Sequence, residues 1–169
     1  MDRMAVSADV LRLHLDYTAW ATGLLLDAVS ELSPEELTRD FHTADKSVLG
    51  TLVHAFAADR LWFSRVSGAP IMEFVTEADF DLGVLRTEWP VVQQWWKEWA
   101  AGMTDQSAQA TLAYKDMAGR PWEQPLWQMV LHVVNHGTHH RGQVSGFLRA
   151  MGRTPPGIDL VYFYRQLGS

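Results

Sequence analysis

Cysteine is absent from the 169 residues. That excludes disulfides, thiolate metal sites, iron–sulfur clusters and a cysteine nucleophile together. A basic stripe is missing as well. The 14 Lys and Arg stand against 20 Asp and Glu, a formal charge of −6, so no nucleic-acid partner is expected. Helical stretches all meet charges before reaching the roughly 18 apolar residues of a membrane span, so no membrane partner is expected either. Near the start, Arg12, His14, Asp16 and Asp27 interrupt what would otherwise pass for a secretion signal. The expectation is a cytoplasmic protein. Several catalytic signatures are also lacking: His-Glu-x-x-His, paired Glu-x-x-His, a Gly-rich phosphate loop, a dinucleotide fingerprint and a Gly-x-Ser-x-Gly elbow.

What is present reads as an ordinary globular chain, 47% apolar and 20% charged. A chain of this length buries roughly 70% of its unfolded surface, enough for a core without staples. No repeat, low-complexity run or linker divides it, so residues 1–169 are expected to form a single domain. The eight tryptophans suit a well-filled core or an apolar pocket.

Helical spacing dominates. Val10, Leu13, Tyr17, Trp20, Leu24 and Ala28 mark one face of a long helix ending near Leu32. Ser33-Pro34-Glu35-Glu36 then spells a capping box opening a short helical turn. A second long helix starts after Ser47 as N-cap and stops before Ser67-Gly68-Ala69-Pro70, with an irregular dozen residues beyond. A third carries Trp89, Val92, Trp96, Trp99 and Met103, with Pro90 expected in its first turn or at a kink. Residues 110–125 suggest a small hairpin turning at Ala118-Gly119-Arg120. The last long helix runs from Leu126 to about Met151, with Gly152 at its C-cap, and the aromatic tail from Asp159 to Gln166 docks as a short piece. The predicted fold is all-α: a four-helix bundle with long crossover connections and a small β-hairpin before the last long helix.

Four of the seven histidines lie on that last helix. His132, His136 and His140 climb one stripe at intervals of four. His132 and His140 are roughly 12 Å apart along the axis, so one ion takes an adjacent pair only. With about 100° between residues, the apolar arc centres on Val133, Val144 and Met151. His136 and His140 fall inside it, His132 at its margin, and His139 toward solvent. Two imidazoles aimed at a core need a partner, because a buried unpaired polar group costs about 1–3 kcal/mol. A shared metal ion would satisfy both. The third ligand is expected from another helix, and His54 qualifies, flanked on its face by Gly50, Ala57, Ala58 and Leu61. His14 and His42 are weaker candidates, the first beside an apolar stripe and the second in a loop.

Three neutral imidazoles leave coordination positions open, the layout of a reactive site rather than a closed structural one. Zinc and nickel suit imidazole, and ligand type alone leaves iron and manganese open. Gln143, about a turn from His139 and His140, is placed to orient a ligand, with a helix-surface amide as the alternative, and His132 is a second candidate for that supporting role. Arg141 reads as a salt bridge at the bundle edge, with anchoring of an anionic substrate as the alternative. Asp59 and Arg60 read as solvated or paired charges. Tyr17, Trp20 and the tryptophans of the third helix read as core, with an apolar pocket wall as the alternative.

The run His132-Val-Val-Asn-His136-Gly-Thr-His-His140-Arg141-Gly142-Gln143, with a lone His54 on the second helix, resembles the DinB-like superfamily. The likeness extends to the helix order, the stretch Val48 to Trp62 and the hairpin. It implies that His54, His136 and His140 bind a divalent metal, commonly nickel or zinc. Some members are thiol S-transferases or isomerases using low-molecular-weight thiols such as bacillithiol or mycothiol. Family members often pair as homodimers. The resemblance thus implies a small-molecule substrate or thiol and a metal-dependent thiol S-transferase or hydrolase acting on a small electrophile. The alternatives are a non-catalytic metal- or ligand-binding bundle and a purely structural bundle with histidines in its core.

Overall fold

In the computed structural model, which describes residues 6–70 and 81–168, Ser7 opens the first helix. Its hydroxyl accepts from the Val10 amide, and α1 spans Ala8–Val29. The capping box forms at α2, Pro34–Thr38: Ser33 Oγ accepts from the Glu36 amide while Glu36 accepts from the Ser33 amide. Glu36 also pairs with Arg153 at 2.9 Å, tying α2 to the far end of the chain. Ser47 caps α3, Val48–Ser67, which stops at Gly68 in a left-handed conformation, φ 72°. The stretch 71–80, most of the segment expected to be irregular, lies outside the described residues.

Helix α4, Leu82–Ala101, is capped by Asp81 and excludes one of the two places expected for Pro90. That proline sits two turns inside the helix rather than in its first turn. A proline there deprives the carbonyl four residues earlier of its donor. Arg86 and Pro90 both lie on the exposed face, so water can take the freed carbonyl. The helix therefore starts earlier than the tryptophan spacing suggested, with Leu85 fully buried. Met103, assigned to this helix from its spacing, falls just beyond it but remains buried.

A short helix unanticipated from the sequence, α5 (Asp105–Ala108), follows with its own capping box between Thr104 and Ser107. Its Asp105 accepts from the Ala8 amide at 2.7 Å, anchoring the start of α1. Strands β1 (Thr111–Lys115) and β2 (Pro121–Pro125) pair antiparallel, Thr111 opposite Pro125 and Lys115 opposite Pro121. Then come α6, Leu126–Ala150, and α7, Leu160–Leu167.

Helix α1 packs on α4 and α6, and α3 packs on the same two. Helices α1 and α3 are therefore diagonal neighbours, as are α4 and α6, and the connections α1–α3 and α4–α6 cross the bundle ends. That is the four-helix bundle with long crossovers and a hairpin before α6. Leu11, Leu25, Phe56, Leu85, Val92, Val130, Val144 and Leu148 fill the interior. A smaller cluster of Tyr17, Ala21 and Phe163 seats α7 on α1. Among the described residues, no helix is long and apolar enough to cross a membrane.

Candidate metal centre

The tightest packing partner of α6 is α3, and the histidines meet at that seam. On α6 the four-residue interval stacks His136 and His140 one turn apart, and both turn toward His54 on α3. His136 Nε2 lies 3.2 Å from His54 Nε2 and 3.1 Å from His140 Nε2. Among the described residues this is the group of histidine or acidic side chains able to hold one metal ion, each offering one atom. Two nitrogens at the usual zinc distance stand about 3.3 Å apart at a tetrahedral angle and about 2.9 Å at a right angle. The two separations from His136 fall between, and all three donor atoms lie within 4.8 Å of one another, so the trio is compatible with a divalent ion.

Protonation favours the same reading. Gln143 Oε1 lies 2.7 Å from His140 Nδ1 and accepts its hydrogen, which leaves Nε2 of a neutral ring as a bare lone pair. Burial, with His140 and His54 close by, pushes the His136 pKa down to about 3. Burial also lowers that of His140, against the opposing pull of its Gln143 hydrogen bond. A cation among the three rings would find the bare His140 Nε2 already turned toward it.

The loop before α3 contributes a group that the sequence did not single out. Asp45 Oδ1 faces His54 Nδ1 at 3.7 Å and Asp45 Oδ2 faces His140 Nδ1 at 3.8 Å. These are ion-pair rather than hydrogen-bond distances. The loop turns tightly, His42 and Lys46 both adopting positive φ near 60°, and Phe41 N donates to Lys46 O at 2.7 Å. No helical register relates Asp45 to His54, so only its nearness to the Ser47 cap hinted at its place.

The remaining candidates separate cleanly. Gln143 touches His140, as its spacing suggested. His132 stays on the exposed side of α6, its ring edge-on to Trp62 at 5.0 Å and 5.9 Å from His136. Trp62 also meets Tyr114 and carries the Arg65 guanidinium 4.5 Å above its ring. His139 is exposed, His14 bonds its own helix through the Val10 carbonyl at 2.8 Å, and His42 is exposed in its loop. Two charge assignments are corrected. Arg141 is no edge salt bridge but 4% exposed, and Asp59 is no solvated charge but 4% exposed. Asp59 instead accepts from Trp89 Nε1 at 2.7 Å, and burial pushes its pKa up to about 6. Trp89 and Trp96 belong to the core.

Comparison with known proteins fits this arrangement. A model of the DinB family matches residues 4–166. The chain is 22% identical over 153 residues to Protein DinB of Bacillus subtilis (strain 168), covering 81% of this chain and 83% of that one. The crystal structure of a DinB-like protein from Bacillus cereus ATCC 10987 superposes with a TM-score of 0.67 at 21% identity. That superposition covers 91% of this chain and 99% of the other. With the family match spanning nearly the whole sequence and the bundle shared, the chain belongs to the DinB family.

Proposed function

We propose that His54, His136 and His140 hold a divalent ion, nickel or zinc, and that the protein is a metal-dependent thiol S-transferase or hydrolase. The observation behind this reading is the meeting of three Nε2 atoms from two helices, 3.1 and 3.2 Å from the middle one. When bound, the ion would act as a Lewis acid, lowering the pKa of a thiol or water that attacks a small electrophile. The residues prepare that centre. Gln143 directs the His140 lone pair inward, and Asp45 sets negative charge against the outer nitrogens of His54 and His140. None of the three donors is anionic, so a bound ion would stay more electrophilic than one held by carboxylates.

Turnover of a small electrophile with a low-molecular-weight thiol by the metal-loaded protein tests the catalytic part. Activity in wild type and none in His136→Ala is the expected result. Stoichiometric metal without turnover of any thiol or water substrate would reduce the protein to a metal-binding bundle. The supporting residues have their own test. Gln143→Leu should weaken metal affinity about 10–100-fold, measured by competition with a chromophoric chelator. Asp45→Asn should weaken it in the same direction, and unchanged affinity in both would remove their orienting role.

A further inference from the structure

The histidine cluster is not sealed, since the His54 side chain keeps 38% of its surface exposed. From it a strip of surface runs along the same seam toward the hairpin. His54, Ala58, Trp62 and Arg65 recur at intervals of four, four and three, so they share one face of α3. On α6 the order is reversed: His136 meets His54, and His132, one turn earlier, meets the Trp62 ring at 5.0 Å. Ala58 lies between those two pairs, small and only partly buried, so no bulky side chain of that face blocks the strip. Trp62 and Tyr114 of β1, their rings 5.2 Å apart and edge to face, wall its far end.

Arg65 closes that end with a charge. Its guanidinium carbon lies 4.5 Å from the Trp62 ring centre and 5.5 Å from that of Tyr114. Those are its contacts among the described residues, where it forms no hydrogen bond or ion pair. The carboxylate that acts on it, Asp116, is engaged elsewhere: it pairs with Arg120 Nε at 2.7 Å and accepts from Trp122 Nε1 at 3.1 Å. The Tyr114 hydroxyl is likewise spent, donating to Gln124. Two guanidiniums thus share one carboxylate, and one positive charge is left over. Arg65 is only partly buried, so its N–H groups can be reached from solvent. Stacking on an indole fixes the plane of a guanidinium while leaving its N–H edge free for a carboxylate.

We propose that Arg65, stacked on Trp62, recognises a carboxylate on the small molecule held at the metal centre. The inference rests on the metal and thiol reading proposed above and names the chemistry of that reactant's far end. His54 and Trp62 stand about 12 Å apart along α3, so the reacting atom and the acid must be separated by roughly that span. A compact acid cannot touch both, whereas an extended chain can lie over Ala58 and along the Trp62 ring. Arg65 is then a specificity residue, remote from the reacting atoms.

The nickel-loaded full chain titrated with ω-mercaptooctanoate and with ω-mercaptooctanol tests this, the thiolate-to-nickel absorption band reporting binding. The acid is expected to bind about five-fold more tightly than the alcohol. Arg65→Gln should abolish that preference while leaving the alcohol's Kd unchanged, which also shows that the variant is folded. Arg65→Lys should keep part of the preference. The short pair ω-mercaptopropionate and ω-mercaptopropanol should show no dependence on Arg65. Equal affinity for the two octyl thiols in wild type overturns the proposal. So does a preference for the acid that survives Arg65→Gln, which would put the carboxylate on the metal, or one lost equally for the propyl pair, which would deny the span. A nickel-bound protein that shows no thiolate band with any thiol fails differently: the thiol reading itself falls, and this inference with it.

Discussion

Purified His136→Ala is expected to retain almost no divalent metal, while wild type loaded with nickel or zinc carries about one ion per chain. His136 occupies the middle of the cluster, its Nε2 within 3.2 Å of both other rings. Without it, His54 and His140 remain as two donors on different helices. Two imidazoles satisfy too little of a four-coordinate shell to retain an ion through purification. Elemental analysis reads the stoichiometry directly. A second readout is thermal: metal at 100 times its Kd adds about 2.7 kcal/mol to the native state, so Tm should rise with metal and fall with chelator. His136→Ala should fold, since removing a half-buried ring opens the seam without stranding a charge, but its Tm should ignore both additions. His132→Ala is the matched control. That ring packs on Trp62, outside the trio, and its loss should leave stoichiometry intact. Undiminished metal in His136→Ala would end the three-histidine proposal.

Much of this architecture was legible because local rules settle it. The Ser33–Glu36 capping box, the Ser47 cap and the hairpin around Gly119 each depend on a few neighbouring residues, and the structure has all three. The meeting of His136 and His140 follows from the advance of one helix, and the small residues beside His54 left room for it to reach them. What escaped depends on tertiary placement. Asp45 arrives over the cluster through a loop with two left-handed residues, which no periodicity encodes. Whether Pro90 lay in the first turn or deeper in the helix stayed open because tolerance of an interior proline rests on which face meets water. Arg141 was read as an edge salt bridge and Asp59 as a solvated or paired charge because such groups are seldom buried. Their actual partners are threonines on α1 and α6 for the first and a tryptophan on α4 for the second. Cross-helix pairing of that kind needs coordinates.

The buried carboxyl also sets the largest expected loss of stability. Trp89 is 2% exposed, packs 5.7 Å from Phe56, and donates to Asp59 Oδ2 at 2.7 Å. Trp89→Ala removes a large core side chain and should cost about 3–5 kcal/mol before the hydrogen bond is considered. Trp89→Phe keeps much of the ring but deletes the donor, which isolates the carboxyl's part in the effect. Burial holds the Asp59 pKa at about 6, above the ordinary 3.8, while the Trp89 hydrogen bond and the Arg141 charge pull it down. The folded chain thus binds this proton more tightly than the unfolded chain. Asp59 favours folding fully below pH 3.8, and that contribution is lost as pH rises through about 6. The whole excursion is on the order of 3 kcal/mol. Without the indole N–H the carboxylate loses a partner, so its pKa should climb further and the loss should extend to higher pH. Trp89→Phe should therefore cost about 1–3 kcal/mol more at pH 8 than at pH 4, measured by urea unfolding of both proteins at each pH. Comparing the two proteins at the same pH cancels the histidines and surface carboxylates, which titrate alike in both. A penalty independent of pH would show that Trp89 acts through packing alone and that Asp59 does not depend on its indole.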